Sequence, residues 1–251
     1  MSRPRRIHLR RIAPSLVTVF AICAGLTSVR MALEGRLETG LYFILLAMFL
    51  DAVDGKLARF LESTSLFGAE LDSLADFFNF GIAPGIILFH TFYLGTGAAN
   101  IGWLATLVLA ACCALRLARF NLASKDTDAD AEEPAQKSAF FTGVPAPALA
   151  CLALMPIFIQ LQGWAVTDYP LLCAIYTMGV GFLAVSTIPT FSIKYASIKR
   201  SQLPLAVVLS IALVTCLMVY PWPMLIAANL FYLASMPLSY LSARRQAKAK
   251  A

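Results

Sequence analysis

Apolar residues in this chain come in long unbroken blocks, not in alternation and not in one-sided stripes. Eight blocks stand out, at residues 12–32, 39–60, 68–93, 101–121, 140–161, 169–190, 203–220 and 223–241. A helix needs roughly 20 predominantly apolar residues to cross the hydrocarbon core. The pattern therefore predicts an all-α polytopic membrane protein of about eight transmembrane helices, the last two parted only by the Tyr220–Pro223 turn.

The polar positions between the blocks set the orientation. Arg3, Arg5, Arg6, Arg10 and Arg11 precede the first block, and Arg244, Arg245, Lys248 and Lys250 follow the last. Alternate connections carry Lys56 and Arg59, then Arg116, Arg119, Lys125 and Lys137, then Lys194, Lys199 and Arg200. With eight spans all of these fall on one side, and only Arg30 and Arg36 on the other. Positive residues stay inside, so both termini are expected in the cytoplasm. The first block follows an arginine-rich start but is longer than a usual signal core, and seven further blocks come after it. The expected organisation is one membrane domain over residues 1–251: a basic arm at 1–11, helices within 12–241, an acidic connector at 124–138 and a basic tail at 242–251.

Composition agrees with the pattern. Apolar residues make up 59% of 251 and charged residues 14%, against about half and a quarter in soluble domains. The basic ends point to topology and to anionic lipid, with nothing that calls for nucleic acid. Cys23, Cys112, Cys113, Cys151, Cys173 and Cys216 all lie in apolar blocks without metal-ligand spacing and read as small buried hydrophobes. His8 and His90 are isolated. Asp126, Asp128 and Asp130 alternate like the start of a calcium loop, but Ala131 and Lys137 stand where that loop needs Gly and Glu.

The chemistry lies between Leu50 and Gly85. Asp51 and Asp54 are three apart near the cytoplasmic end of the second block, and Asp72 and Asp76 are four apart near the start of the third. Both spacings put a pair on one helix face. The connection from about Leu61 to Phe67 is short, so the two helices should be antiparallel neighbours with all four carboxylates at one depth. An aspartate costs about 2.5–3.5 kcal/mol at the centre of a membrane helix, and like charges repel. Ion pairs with Lys56 and Arg59 would relieve one carboxylate. Divalent cations would relieve all four, and oxygen-only ligands suit Mg²⁺ or Mn²⁺. Four aspartates suffice for two metals, the arrangement that clamps both oxygens of a phosphoryl displacement. Gly55 and Gly68 leave room beside them.

The run Asp54-Gly55-x2-Ala58-Arg59-x8-Gly68-x3-Asp72-x3-Asp76, with Asp51 ahead of it, fixes eight positions over 26 residues. It resembles the signature of the CDP-alcohol phosphotransferase family. Members of that family are membrane enzymes that displace CMP from a CDP-linked lipid or alcohol with an acceptor hydroxyl, using two divalent metals, and they resemble homodimers. The resemblance implies that Asp51, Asp54 and Asp72 are metal ligands and that Asp76 is both a ligand and the general base. It implies CDP-diacylglycerol contacts at Thr18, Gly55, Arg59, Ser65 and Gly68.

Three further segments resemble the bacterial membrane-embedded branch that makes phosphatidylserine: Leu71–Gly85, Ala114–Asn121 and Phe141–Pro147. That resemblance implies CDP-diacylglycerol and L-serine as substrates, the bacterial inner membrane as location and a cytoplasmic active site. Acceptor contacts are expected from Asn79, Arg116, Arg119 and Asn121. Two positions depart from the family: Ser15 replaces the usual Asn after the proline, and Asn79 stands where many phosphatidylserine synthases have Ser. A guanidinium is the usual partner of a carboxylate such as serine's. Arg116 and Arg119 are three apart on one face of the fourth block. Inositol phosphate or glycerol phosphate would also want basic residues, whereas choline would want an aromatic cage. A divalent-cation transporter is the reading from another class, and it would need polar or broken helices continuing to the far side.

Overall fold

The structure is a computed structural model that describes residues 9–61, 65–129, 140–186, 189–191 and 203–250. The first two apolar blocks form α1 (Leu9–Leu33) and α2 (Leu37–Phe60). These helices pack closely along their lengths. The missing side chain of Gly40 lets α2 settle on the Ser28 carbonyl and on Ala32 of α1.

The third block is one rod with an altered middle: α3 (Leu66–Asp76), a π-helical turn (Phe77–Ile82) and α4 (Ala83–Phe92). Pro84 explains the turn, because it has no N–H to give to the Phe80 carbonyl. The register widens there, and the Ala83 N–H reaches back to Phe78. α5 (Ala99–Ala129) is the fourth block, and it runs further than expected. The connector predicted from Ser124 begins as helix, since no Gly or Pro interrupts the chain before Pro134. Residues 130–139, the rest of that connector, lie outside the described residues.

The fifth block changes most. It opens as a strand, β1 (Phe140–Thr142), and becomes helical only in α6 (Ala146–Ala153) and α7 (Met155–Gln160). β1 pairs antiparallel with β2 (Pro189–Phe191), Phe141 standing opposite Thr190. Apart from this short ribbon and a single 3₁₀ turn (Val166–Asp168), the described fold is built from helices, as expected. Pro156 splits α6 from α7 because it has no N–H for the Leu152 carbonyl. The Tyr176 hydroxyl donates to that carbonyl (2.8 Å), and the Asn229 amide donates to the neighbouring Cys151 carbonyl (2.9 Å). A proline break inside a membrane protein is tolerated when side chains satisfy the freed groups in this way.

α8 (Pro170–Val185) is the sixth block, shortened at its end by β2. α9 (Leu203–Val219) and α10 (Pro221–Lys250) meet at Tyr220, bent by 120°. Residues 1–8 and 192–202, which include most of the basic arm together with Lys194, Lys199 and Arg200, lie outside the described residues.

Among the described residues three helical stretches are long and apolar enough to cross a bilayer: Ile12–Leu33, Leu66–Phe92 and Ala99–Leu122. The bent pair Ile211–Val219 and Pro221–Pro237 makes a fourth if it forms one span. α2 is as long as these at 24 residues, but Asp51, Asp54, Lys56 and Arg59 interrupt its apolar run. The chain is an integral membrane protein. Its core lies where α4, α5, α6 and α8 meet, around Phe80, Ile87, Leu109, Leu149 and Ala174.

Candidate active site

Each carboxylate owes its place to an ordinary local rule. Asp51 and Asp54 sit one turn apart on α2, and Asp72 and Asp76 one turn apart on α3. α3 begins where Ser65 caps it, the hydroxyl accepting the Gly68 N–H at 3.0 Å. Such a cap satisfies one of the free N–H groups at a helix start. α2 and α3 share few close backbone contacts, and α1 packs against both. The two helices face each other through their carboxylates, which meet across the space between them.

Asp51, Asp54 and Asp72 each bring an oxygen into a set within 4.8 Å of one another. Asp76 stands beside this set, its carboxyl in hydrogen-bonding contact with that of Asp51. Asp54 is 3% exposed. One oxygen of Asp54 and one of Asp76 are buried with no partner. Among the described residues no lysine or arginine forms a salt bridge with any of the four, and the one pair found is Arg30 with Glu34 on the surface. Arg59, one of the two candidate counter-charges on the same helix, instead donates from Nε to the Gly55 carbonyl at 3.0 Å.

Above the carboxylates opens a cavity of about 440 Å³, lined by Thr18, Asp54, Gly55, Arg59, Ser65 and Asp72 among others. All five residues expected to contact CDP-diacylglycerol line it, Gly68 being the fifth. A Cβ on Gly55 would meet no protein atom within 4 Å, so the space kept open there is not filled by the protein. At Gly68 a Cβ would come within 3.1 Å of Ser65 Oγ, so glycine here protects the cap. Thr18 turns out differently from a surface contact. It is 3% exposed, and its hydroxyl donates to Asp54 Oδ2 at 2.6 Å. Ser15, the position marked in the sequence by its departure from the family's usual Asn, also lines the cavity, as does Phe120, which the sequence does not single out.

The four expected acceptor contacts do not gather in one place. Arg116 is partly buried and its charge acts on Asp76, with its Nε buried and unpartnered. Asn79 lies in the π turn, 1% exposed, with both amide atoms unpartnered. Its side chain occupies the space where Gly25 of α1 lacks a Cβ. Arg119 points elsewhere: it donates to the Val185 carbonyl at 3.1 Å and to the Ser186 carbonyl at 3.4 Å, at the end of α8. A cation there complements the helix dipole. Gly143, with φ of +81°, passes so close to the same helix end that a Cβ would lie 2.8 Å from Ala184 O and 2.9 Å from Ser186 O. Asn121 donates to Ser73 Oγ at 2.9 Å and ties α5 to α3 beside Asp72. Arg116 and Arg119 thus share a helix but not a direction, and they do not form the paired clamp their spacing promised.

Residues 11–181 match the family described as CDP-alcohol phosphatidyltransferase. A CDP-diacylglycerol–serine O-phosphatidyltransferase of Mycobacterium leprae is 36% identical, over 94% of this chain and 76% of that protein. The protein of the same name from Mycobacterium tuberculosis is 39% identical, over 74% of this chain and 63% of its own length. One from Bacillus subtilis is 32% identical, over 70% of this chain and 87% of its own.

Proposed function

The chain belongs to the CDP-alcohol phosphatidyltransferase family, and from that premise we propose that it transfers the phosphatidyl group of CDP-diacylglycerol to the hydroxyl of L-serine, giving phosphatidylserine and CMP. One observation carries the chemistry: three carboxylates converge within 4.8 Å, and two of them, Asp54 and Asp72, line a cavity that also holds every residue expected to bind the CDP-lipid. The relatives' names carry the choice of serine.

The donor set fits divalent cations, since it offers only carboxylate oxygens and leaves buried ones without partners. Family members use such ions generally, and Mg²⁺ or Mn²⁺, two per site, is our reading for this chain. Asp51, Asp54 and Asp72 would hold them, with Asp76 at the edge of the set. When bound, the ions neutralise the pyrophosphate and the departing CMP.

The chain's own residues do the rest. Gly55 leaves space for the nucleotide, and Arg59 at the rim presents its remaining guanidinium N–H groups to phosphate oxygens. Ser65 and Gly68 shape the start of α3 against the same cavity. Asp76 takes the proton of the serine hydroxyl as the Oγ–P bond forms and the P–O bond to CMP breaks. Arg116, whose charge acts on Asp76, receives the serine carboxylate, and the unpartnered amide of Asn79 is a further polar group for the acceptor. Arg119 and Asn121 support this region through α8 and α3.

Eight spans with both termini in the cytoplasm place the carboxylates at the cytoplasmic face of the bacterial inner membrane, where a lipid phosphate and a soluble amino acid can meet. The homodimer belongs to the same reading and rests on the family resemblance. Purified protein given CDP-diacylglycerol, Mn²⁺ and, in turn, serine, inositol phosphate, glycerol phosphate or choline should release CMP with serine far above the others. Equal release with another acceptor would overturn serine and leave the phosphotransfer standing.

A further inference from the structure

We infer that Thr18 acts on the metal centre and not on the nucleotide: it is the positioning residue that fixes the carboxylate of Asp54. The inference rests on the metal-dependent reading above and adds a residue to it. Both side chains are 3% exposed, and the contact of 2.6 Å is the length of a hydroxyl donating to a charged carboxylate. A threonine hydroxyl carries one proton. Pro14 O lies 3.1 Å away, so the shorter and charged acceptor, Asp54 Oδ2, takes it. No proton is left to offer a ligand in the cavity.

The consequence for Asp54 is directional. With Oδ2 engaged by Thr18, Oδ1 is buried and without a partner, on a residue whose other neighbours are Asp51 and Asp72. A carboxylate free to turn about its last bond would present either oxygen. Held at one oxygen, it presents the other. The contact does not depend on a mobile loop, because it joins two packed helices in fixed register. Gly40 of α2 meets Ala32 of α1 fourteen residues further along on both helices (18 to 32, and 54 to 40). Residues that orient a ligand in this way typically cost 10–100-fold in metal affinity when removed.

The test uses the full-length protein in detergent and follows Mn²⁺ binding by the loss of the free-ion EPR signal, with no nucleotide present. Thr18→Val should weaken Mn²⁺ binding by about 10–100-fold, and Thr18→Ser, which keeps the hydroxyl, should restore it to within a few-fold. At saturating Mn²⁺ the KM for CDP-diacylglycerol should stay near the wild-type value. Unchanged Mn²⁺ affinity in Thr18→Val, failure of Thr18→Ser to restore it, or a raised lipid KM at saturating metal would each overturn the inference. If Thr18→Val does not purify as a monodisperse protein, Thr18→Ala carries the same comparison. Wild-type protein that binds Mn²⁺ yet releases no CMP would sink the proposed reaction and leave this test intact.

Discussion

The two sides of the carboxylate cluster are built in different ways. On the nucleotide side, α1, α2 and the start of α3 bring Thr18, Gly55, Arg59, Ser65 and Gly68 to one cavity of about 440 Å³. On the acceptor side, the four expected residues go in four directions, to Asp76, to Gly25, to the end of α8 and to Ser73. Apart from Thr18 on α1, the first side is a motif read along one hairpin, so local spacing and helix periodicity place it. The second is assembled from distant segments, so each side chain answers to whatever its helix meets. A family signature thus locates the shared half of a reaction better than the half that differs between members.

The comparison can be broken at its centre first. Asp76 stands between the sides, against Asp51 and within the field of the Arg116 charge. Asp76→Asn should cut CMP release by about 10²–10⁴-fold, the usual worth of a general base, while Mn²⁺ binding survives in part through the other three aspartates. Near-normal turnover would remove Asp76 as the base.

Gly55 tests the nucleotide side with two readouts of opposite sign. Leucine there meets no protein atom at its Cβ and is a better helix former by roughly 1 kcal/mol. Gly55→Leu should hold or raise Tm yet raise the KM for CDP-diacylglycerol at least about tenfold, the equivalent of 1.4 kcal/mol. An unaltered KM in a folded variant would mean that the nucleotide does not sit in this cavity.

The smallest expected effect separates the two arginines. Arg116→Gln should raise the KM for serine by about 10–100-fold, the range of a hydrogen bond to a charged group, with little change for the lipid. Arg119→Gln should leave the serine KM within a few-fold and lower stability by about 0.3–1 kcal/mol through the loss of its contact with the end of α8. If Arg119→Gln proves the more damaging to serine KM, the acceptor side is arranged the other way round.

The fold was legible wherever the solvent alone dictates it. A bilayer demands about 20 apolar residues in a row, so α1, α3 with α4, and the apolar part of α5 follow the predicted blocks closely. It was less legible where the chain obeys partners instead. The fifth block is apolar throughout, yet it opens as β1 because β2, fifty residues away, pairs with it. Pro156 shows in the sequence as a break, but the tyrosine and asparagine that make the break tolerable come from other helices.

By itself the sequence determined the membrane solvent, the four aspartates and their pairing on two helix faces, because apolar run length and helical period are local quantities. It also carried the family through eight fixed positions. The tertiary structure alone decided that α1 packs against both α2 and α3 and closes one cavity with them. It decided as well that Thr18 serves Asp54 and that Arg119 serves α8. Hydrogen-bond partners lie within about 3 Å in space but 36 and 66 residues away along the chain, and spacing along one helix says nothing about what the next helix will offer.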